Sequence, residues 1–154
     1  MSTDTKTIER YLCFSLGSEG YAIPLLTVKE VIALPEVTPV PNTPSHNLGI
    51  MNLRGQVISI IDLRAKMGIK ASPTSETAVV ICDLNNLSLG IVVDAINSVL
   101  HPKADEVAER PNLSGNKAAE YVTAVYHHGG DKMLLFLDLN KVFAEDLKLV
   151  NKAA

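Results

Sequence analysis

Four histidines, two cysteines and seventeen carboxylates are the side chains here that could ligate a metal, attack a carbonyl or move a proton. The adjacent pair His127-His128 lies next to Gly129-Gly130 with Asp131 nearby, a composition that could in principle hold a metal ion. Neighbouring residues of a strand point to opposite faces, so the two rings are poorly arranged to chelate, and a solvated turn is the better reading. His46 and His101 stand alone. There is no glycine-rich phosphate loop, no Ser or Cys nucleophile motif and no Cys-x-x-Cys. Asp62 and Asp138 invite an acid–base reading. Their equivalent places in an internal repeat explain them more simply as helix N-caps, each worth about 1 kcal/mol. Asp94 sits inside Ile91-Val92-Val93-Asp94-Ala95-Ile96 and must find a hydrogen-bond partner if buried. No catalytic residue, metal site or cofactor is expected.

The informative segment is Gly49-Ile50-Met51-Asn52-Leu53-Arg54-Gly55. It places an arginine at the tip of a hairpin between apolar strands, with Asn52 and Gly55 framing a shaped turn. An ionic partner would fix the direction of Arg54, and Glu30, in Val28-Lys29-Glu30-Val31-Ile32, is the candidate the same half supplies. An exposed pair adds only about 0–1 kcal/mol. At the rim of an apolar groove its value lies in orientation and partner choice.

The elements that must position these residues are short and aliphatic. Apolar residues make up 47% of the chain but aromatics only 5%, so Val, Ile and Leu must fill the core. Their short runs suit strands. The formal net charge of −3 comes without a Lys/Arg cluster or aromatic stacking platforms, which argues against nucleic-acid binding. Polar residues from Met1 to Arg10 do not resemble a secretory signal, and no apolar run reaches membrane-spanning length. The expectation is a cytoplasmic protein, without membrane insertion, whose Cys13 and Cys82 are reduced core residues.

Strands are predicted over 10–16, 21–24, 28–34, 50–53, 56–61, 77–84, 121–126 and 133–137, with one long, bent strand over 87–100. Leu25-Leu26-Thr27 turns the chain after Pro24. The four prolines between 35 and 44 require an extended, non-central segment. Residues 69–76 read as a polar linker and 102–119 as polar and irregular. Asp62 opens a helical turn ending at Gly68, and Asp138 opens a helix with Leu139, Val142, Phe143 and Leu147 on one face.

The two halves repeat. An offset of 68 aligns Leu16 with Leu84, Tyr21 with Leu89, Ile23 with Ile91, Val28 with Ile96 and Val31 with Val99. An offset of 76 aligns Ile60-Ile61-Asp62-Leu63 with Phe136-Leu137-Asp138-Leu139. The expected organisation is a single domain over 8–150 after a flexible start at 1–7. It is built from pseudo-repeated β-subdomains over roughly 8–70 and 77–150, between which strands can be exchanged. These offsets set Ser98 opposite Glu30 and Gly130 opposite Arg54, so the charged pair has no counterpart in the second copy.

Gly49 to Gly55, followed by Val57-Ile58-Ser59-Ile60-Ile61-Asp62-Leu63-Arg64, resembles the signature of the CheW coupling proteins of bacterial chemotaxis. Phe14-Ser15-Leu16-Gly17, Tyr21-Ala22-Ile23, Gly90-Ile91-Val92-Val93-Asp94 and Met133-Leu134-Leu135 extend the resemblance from about Arg10 to Val150. It implies an all-β fold with short helices and a C-terminal helix, made of two intertwined five-stranded SH3-like barrels. It also implies an adaptor without enzymatic activity. The implied partners are the regulatory domain of a CheA-type histidine kinase and the cytoplasmic hairpin tip of a chemoreceptor.

By resemblance, Val28, Glu30, Ile32, Arg54 and Val99 meet the receptor, and Gly49, Leu53 and Gly55 belong to kinase docking. An equivalent adaptor in a pilus-motility or other receptor–kinase pathway is the alternative, with a small metal-binding protein a distant third. Two departures stand out. Ser45-His46-Asn47-Leu48 replaces the aromatic and basic residues common before Gly49, and Arg110-Pro111-Asn112-Leu113-Ser114 lacks the usual aromatic, which puts a second kinase contact there in doubt. At 154 residues, neither the kinase's other domains nor a receiver domain is expected.

Overall fold

Period-two apolar runs separated by Gly, Asn and Pro turns become strands in the computed structural model. It describes residues 10–70, 75–103, 106–109, 120–127 and 133–153. The first-half strands are β1 (Tyr11–Leu16), β2 (Glu19–Pro24), β3 (Val28–Ala33), β4 (Asn47–Leu53) and β5 (Gln56–Asp62). The second-half strands are β6 (Ala78–Leu84), β7 (Leu87–Val93), β8 (Ala95–Leu100), β9 (Val107–Glu109), β10 (Val122–His127) and β11 (Met133–Leu137). A helical turn, α1 (Leu63–Lys66), follows β5, while α2 (Leu139–Val142) and α3 (Ala144–Ala153) follow β11.

The strands form two sheets, ordered β8-β1-β2-β11-β10-β9 and β3-β6-β7-β5-β4. Each draws on both halves of the chain, and together they are the two SH3-like β-domains. The registers reveal how deep the repeat runs. Cys13 pairs with Ala22 and Ser98 in the first sheet, and Ile81 pairs with Gly90 and Glu30 in the second. All three positions are related by the offset of 68. The parallel junctions also correspond, Ala22 with Phe136 and Gly90 with Ile60.

Each sheet buries one face in a small cluster of its own. Met51, Ile58, Ile60, Val79, Ile81 and Val92 fill one sheet, while Cys13, Ala22, Tyr126 and Phe136 fill the other. The opposite faces of both share a large core that includes Leu12, Phe14, Leu16, Ile61, Val80, Cys82, Leu89, Ile91 and Phe143. Burial on both faces explains the continuous apolar runs of β6 and β7. Cys13 and Cys82 are buried and free, as expected of core cysteines.

Three expectations change. The stretch over 87–100 is two strands in different sheets, because the chain crosses over at Asp94, whose amide bonds Ser15 O at 3.0 Å. Part of the irregular 102–119 segment is a strand. β9 pairs Ala108 with Val125, the counterpart of the Thr38–Ile50 bridge in the proline-rich segment, and adds a sixth strand to its sheet. The C-terminal helix breaks at Phe143, though Leu139, Val142, Phe143 and Leu147 are all buried. Its cap is as expected: Asp138 accepts from the amides of Asn140 and Lys141, as Asp62 accepts from Arg64 N.

Candidate functional site

The β4–β5 hairpin turns through Arg54 at φ 50° and Gly55 at φ 87°, two successive left-handed residues that match the right-handed twist of the strands. Asn52 Oδ1 accepts the Gly55 amide at 2.8 Å and closes the turn. That geometry carries the Arg54 guanidinium across to the Glu30 carboxylate on β3, and the two form an ion pair. Arg54 remains 71% exposed and Glu30 31%, so water screens the pair and its worth is orientation rather than stability. Beside it lies an open depression of about 450 Å³, floored by Ile58 and Ile81 and walled by Leu53, Gln56 and Lys29. Lys29 in turn pairs with Asp83 at 3.5 Å, and Asp83 accepts from Ser88 Oγ at 2.9 Å. The surface is a polar lattice over an apolar floor.

The remaining predicted residues divide. A β-bulge between Val28 and Glu30 shifts the register against β6, so Val28 stands opposite Cys82 but Glu30 opposite Ile81. Val28 therefore packs on the shared core, whereas Ile32 packs on the cluster inside its own sheet. The structure brings Glu30 and Ile32 to one face with Arg54 and puts Val28 on the other. Val99 is 54% exposed on the edge strand β8, opposite Leu12 of the shared core. Its repeat counterpart, Val31, is 41% exposed and faces the same core through Val80. Val31 is missing from the sequence-derived set, although the offset that pairs it with Val99 was the signal for it.

Gly49 is buried, with φ 137°, and a side chain there would collide with the Thr38 carbonyl oxygen. Its role is to let the proline-rich segment close over β4. Leu53 packs against the core of its sheet. Gly55 has open space around it and needs glycine only for its backbone angle. Among the described residues no group of three or more His, Cys, Asp or Glu gathers to hold a metal, and no helix is long and apolar enough to cross a membrane. His128 and the Gly129-Gly130 turn lie outside the described residues.

A buried polar triad was not legible as a unit. Arg64 donates from Nε to Asp62 Oδ1 at 2.9 Å and from Nη2 to Asp62 Oδ2 at 3.1 Å. From Nη1 it reaches Asp94 Oδ1 at 2.9 Å. Asp94 Oδ2 also accepts the Gly17 amide at 2.6 Å. Hydrogen bonding to Asp62, partly opposed by burial and reinforced by Asp94, raises the Arg64 pKa above its usual value. The triad ties α1, the β7–β8 crossover and the β1–β2 turn together.

A family model described as the CheW-like domain matches residues 10–147. The chain belongs to the CheW-like family. This CheW-like chain is 34% identical to a chemotaxis protein CheW of Klebsiella aerogenes, over 95% of the chain and 89% of that relative. It is 33% identical to one of Treponema pallidum, over 90% and 85%. Its fold matches the crystal structure of the scaffolding protein TtCheW from Thermoanaerobacter tengcongensis with a TM-score of 0.79 and 29% identity, covering 88% of this chain and 92% of that one. The CheW-like core thus comprises both sheets and α1 and α2, and it reaches into α3.

Proposed function

We propose that this protein is a non-enzymatic chemotaxis adaptor that couples chemoreceptors to a CheA-type histidine kinase in the cytoplasm. The match to the CheW-like domain across nearly the whole chain carries this reading. The absence of a catalytic motif in the sequence agrees with it. In this reading the mechanism is geometric. A receptor hairpin tip meets the apolar positions Val28, Val31 and Val99, while Glu30, Ile32 and Arg54 form a second, charged face across the β3 bulge. Kinase docking uses the β4–β5 hairpin, with Leu53 and Gly55 at its end and Gly49 maintaining its shape. Recruitment to the membrane's inner face then comes through the receptor.

Support for a binding role of Arg54 comes from its exposure and its fixed direction, which cost the fold little and contribute little to it. Arg54→Glu sets two carboxylates side by side and should abolish coupling while changing stability by less than about 1 kcal/mol. Co-sedimentation with receptor-containing membranes and the kinase, alongside urea unfolding, tests this. Retention of full coupling by the variant would remove Arg54 from the site.

A further inference from the structure

The repeat equates the buried arginine triad with an open pocket in the other half. At the two offsets Asp62 corresponds to Asp138, Leu16 to Leu84 and Ile61 to Leu137, and the caps hang on equivalent bonds, Asp62 N to His46 O and Asp138 N to Tyr121 O. Two residues break the correspondence. Asn140 stands where Arg64 stands, and Leu26 stands where Asp94 stands. Asp94 is 5% exposed, whereas Leu26 is 95% exposed. In place of the Arg64 side chain the second half has a solvent-open pocket of about 230 Å³, lined among others by Pro24, Thr27, Leu84, Asp138 and Asn140.

We propose that this pocket receives an arginine side chain from a partner protein, seated as Arg64 is seated in the first half, with an apolar partner residue covering Leu26. The carboxylate is prepared for it. Asp62 uses Oδ1 for its cap and both oxygens for the guanidinium. Asp138 uses Oδ1 for its cap, and among the described residues its Oδ2 accepts no hydrogen bond. Lys141, the nearest cation in sequence, forms no ion pair with it among the described residues. Leu84 and Pro24 supply an apolar wall for the methylenes of the incoming side chain, and the planar fork of arginine matches a carboxylate as the lysine ammonium does not. Leu26, which lies in the chain between the pocket-lining Pro24 and Thr27, is exposed and offers the adjoining apolar contact.

The test uses the full chain and a blocked tripeptide, acetyl-Leu-Arg-Leu-amide, followed by amide NMR. The expected result is saturable shifts of the Thr27, Leu84, Asn140 and Lys141 amides. The citrulline analogue, equal in shape but neutral, and the Asp138→Asn variant, which keeps the cap, should each bind roughly fivefold more weakly, the scale of one partly exposed charge-assisted pair. Equal binding of the citrulline analogue, shifts confined elsewhere, or no binding up to the solubility limit would overturn the proposal. A second measurement needs no partner: Leu26→Asp combined with Asn140→Arg rebuilds the triad from within. Its melting midpoint should exceed the sum of the single effects by about 2–4 °C. Simple additivity would show that the pocket does not seat a guanidinium.

Discussion

Arg64→Met keeps most of the side-chain volume of Arg64 and removes its charge. The loss is three charge-assisted hydrogen bonds, two to Asp62 and one to Asp94. It takes the guanidinium away from two buried carboxylates, 9% and 5% exposed. Breaking a buried pair by removing one member costs about 3–5 kcal/mol, because the remaining charge stays buried without its counter-charge. Asp94 keeps the Gly17 amide and Asp62 keeps the backbone amide of position 64, which hold the expected loss near 3 kcal/mol. For a chain of this size that corresponds to a melting shift of about 6–12 °C. Equilibrium unfolding in urea, followed by far-ultraviolet circular dichroism, measures it directly. A loss below about 1 kcal/mol would refute the argument that the triad holds the crossover in place. The pH dependence has a definite sign. Arg64 has a raised pKa in the fold, so its contribution is complete below the ordinary arginine value and is lost only as pH rises through the still higher folded value. The arginine therefore adds no slope to the stability difference between about pH 6 and 9.

Glycine substitutions separate strain from collision. Gly49→Ala meets both a left-handed backbone angle and the Thr38 carbonyl, so it should lower stability by about 2–4 kcal/mol. Gly55→Ala, with open space, should cost about 1 kcal/mol; urea midpoints that fail to differ would contradict the packing of the proline-rich segment on β4. Burial, with Asp83 adding, pushes the Cys82 thiol up to about 12, and burial raises that of Cys13 against an opposing hydrogen bond from Ser98. Both thiols should resist a disulfide reagent at about pH 8 in the native protein and react fully on unfolding. Rapid native labelling of either would show that the core opens readily there.

The positions of most elements were legible because each is a local pattern. Short aliphatic runs, the Arg54-Gly55 turn and the Asp caps act within a few residues, and the repeat supports the runs and the caps a second time. The single offset of 76 was less secure. The registers place β4 and β10 at an offset of 75 and β5 and β11 at 76, so the second hairpin loop is one residue longer. The comparison of Arg54 with Gly130 therefore falls in a loop outside the described residues. The Glu30–Arg54 pair was legible because a charge at a hairpin tip and a charge in an apolar strand both stand out against their surroundings.

Three things lay beyond any local pattern. The bulge at Val28 is set by pairing with β6, a strand fifty residues away in sequence, and it moves Val28 to the face opposite Ile32. The crossing at Asp94 depends on which sheet offers β8 a partner, and that partner is β1. Asp94 announced by itself that it needed a hydrogen-bond donor, but only the exchange of strands between halves brings Arg64 and Gly17 to it. Sequence by itself determined most of the strands, the caps, the repeat and the charged pair, since these follow from residue type and spacing. Tertiary structure decided which faces the site residues share and which half holds its own arginine, because both depend on pairings between segments that the chain's order does not specify.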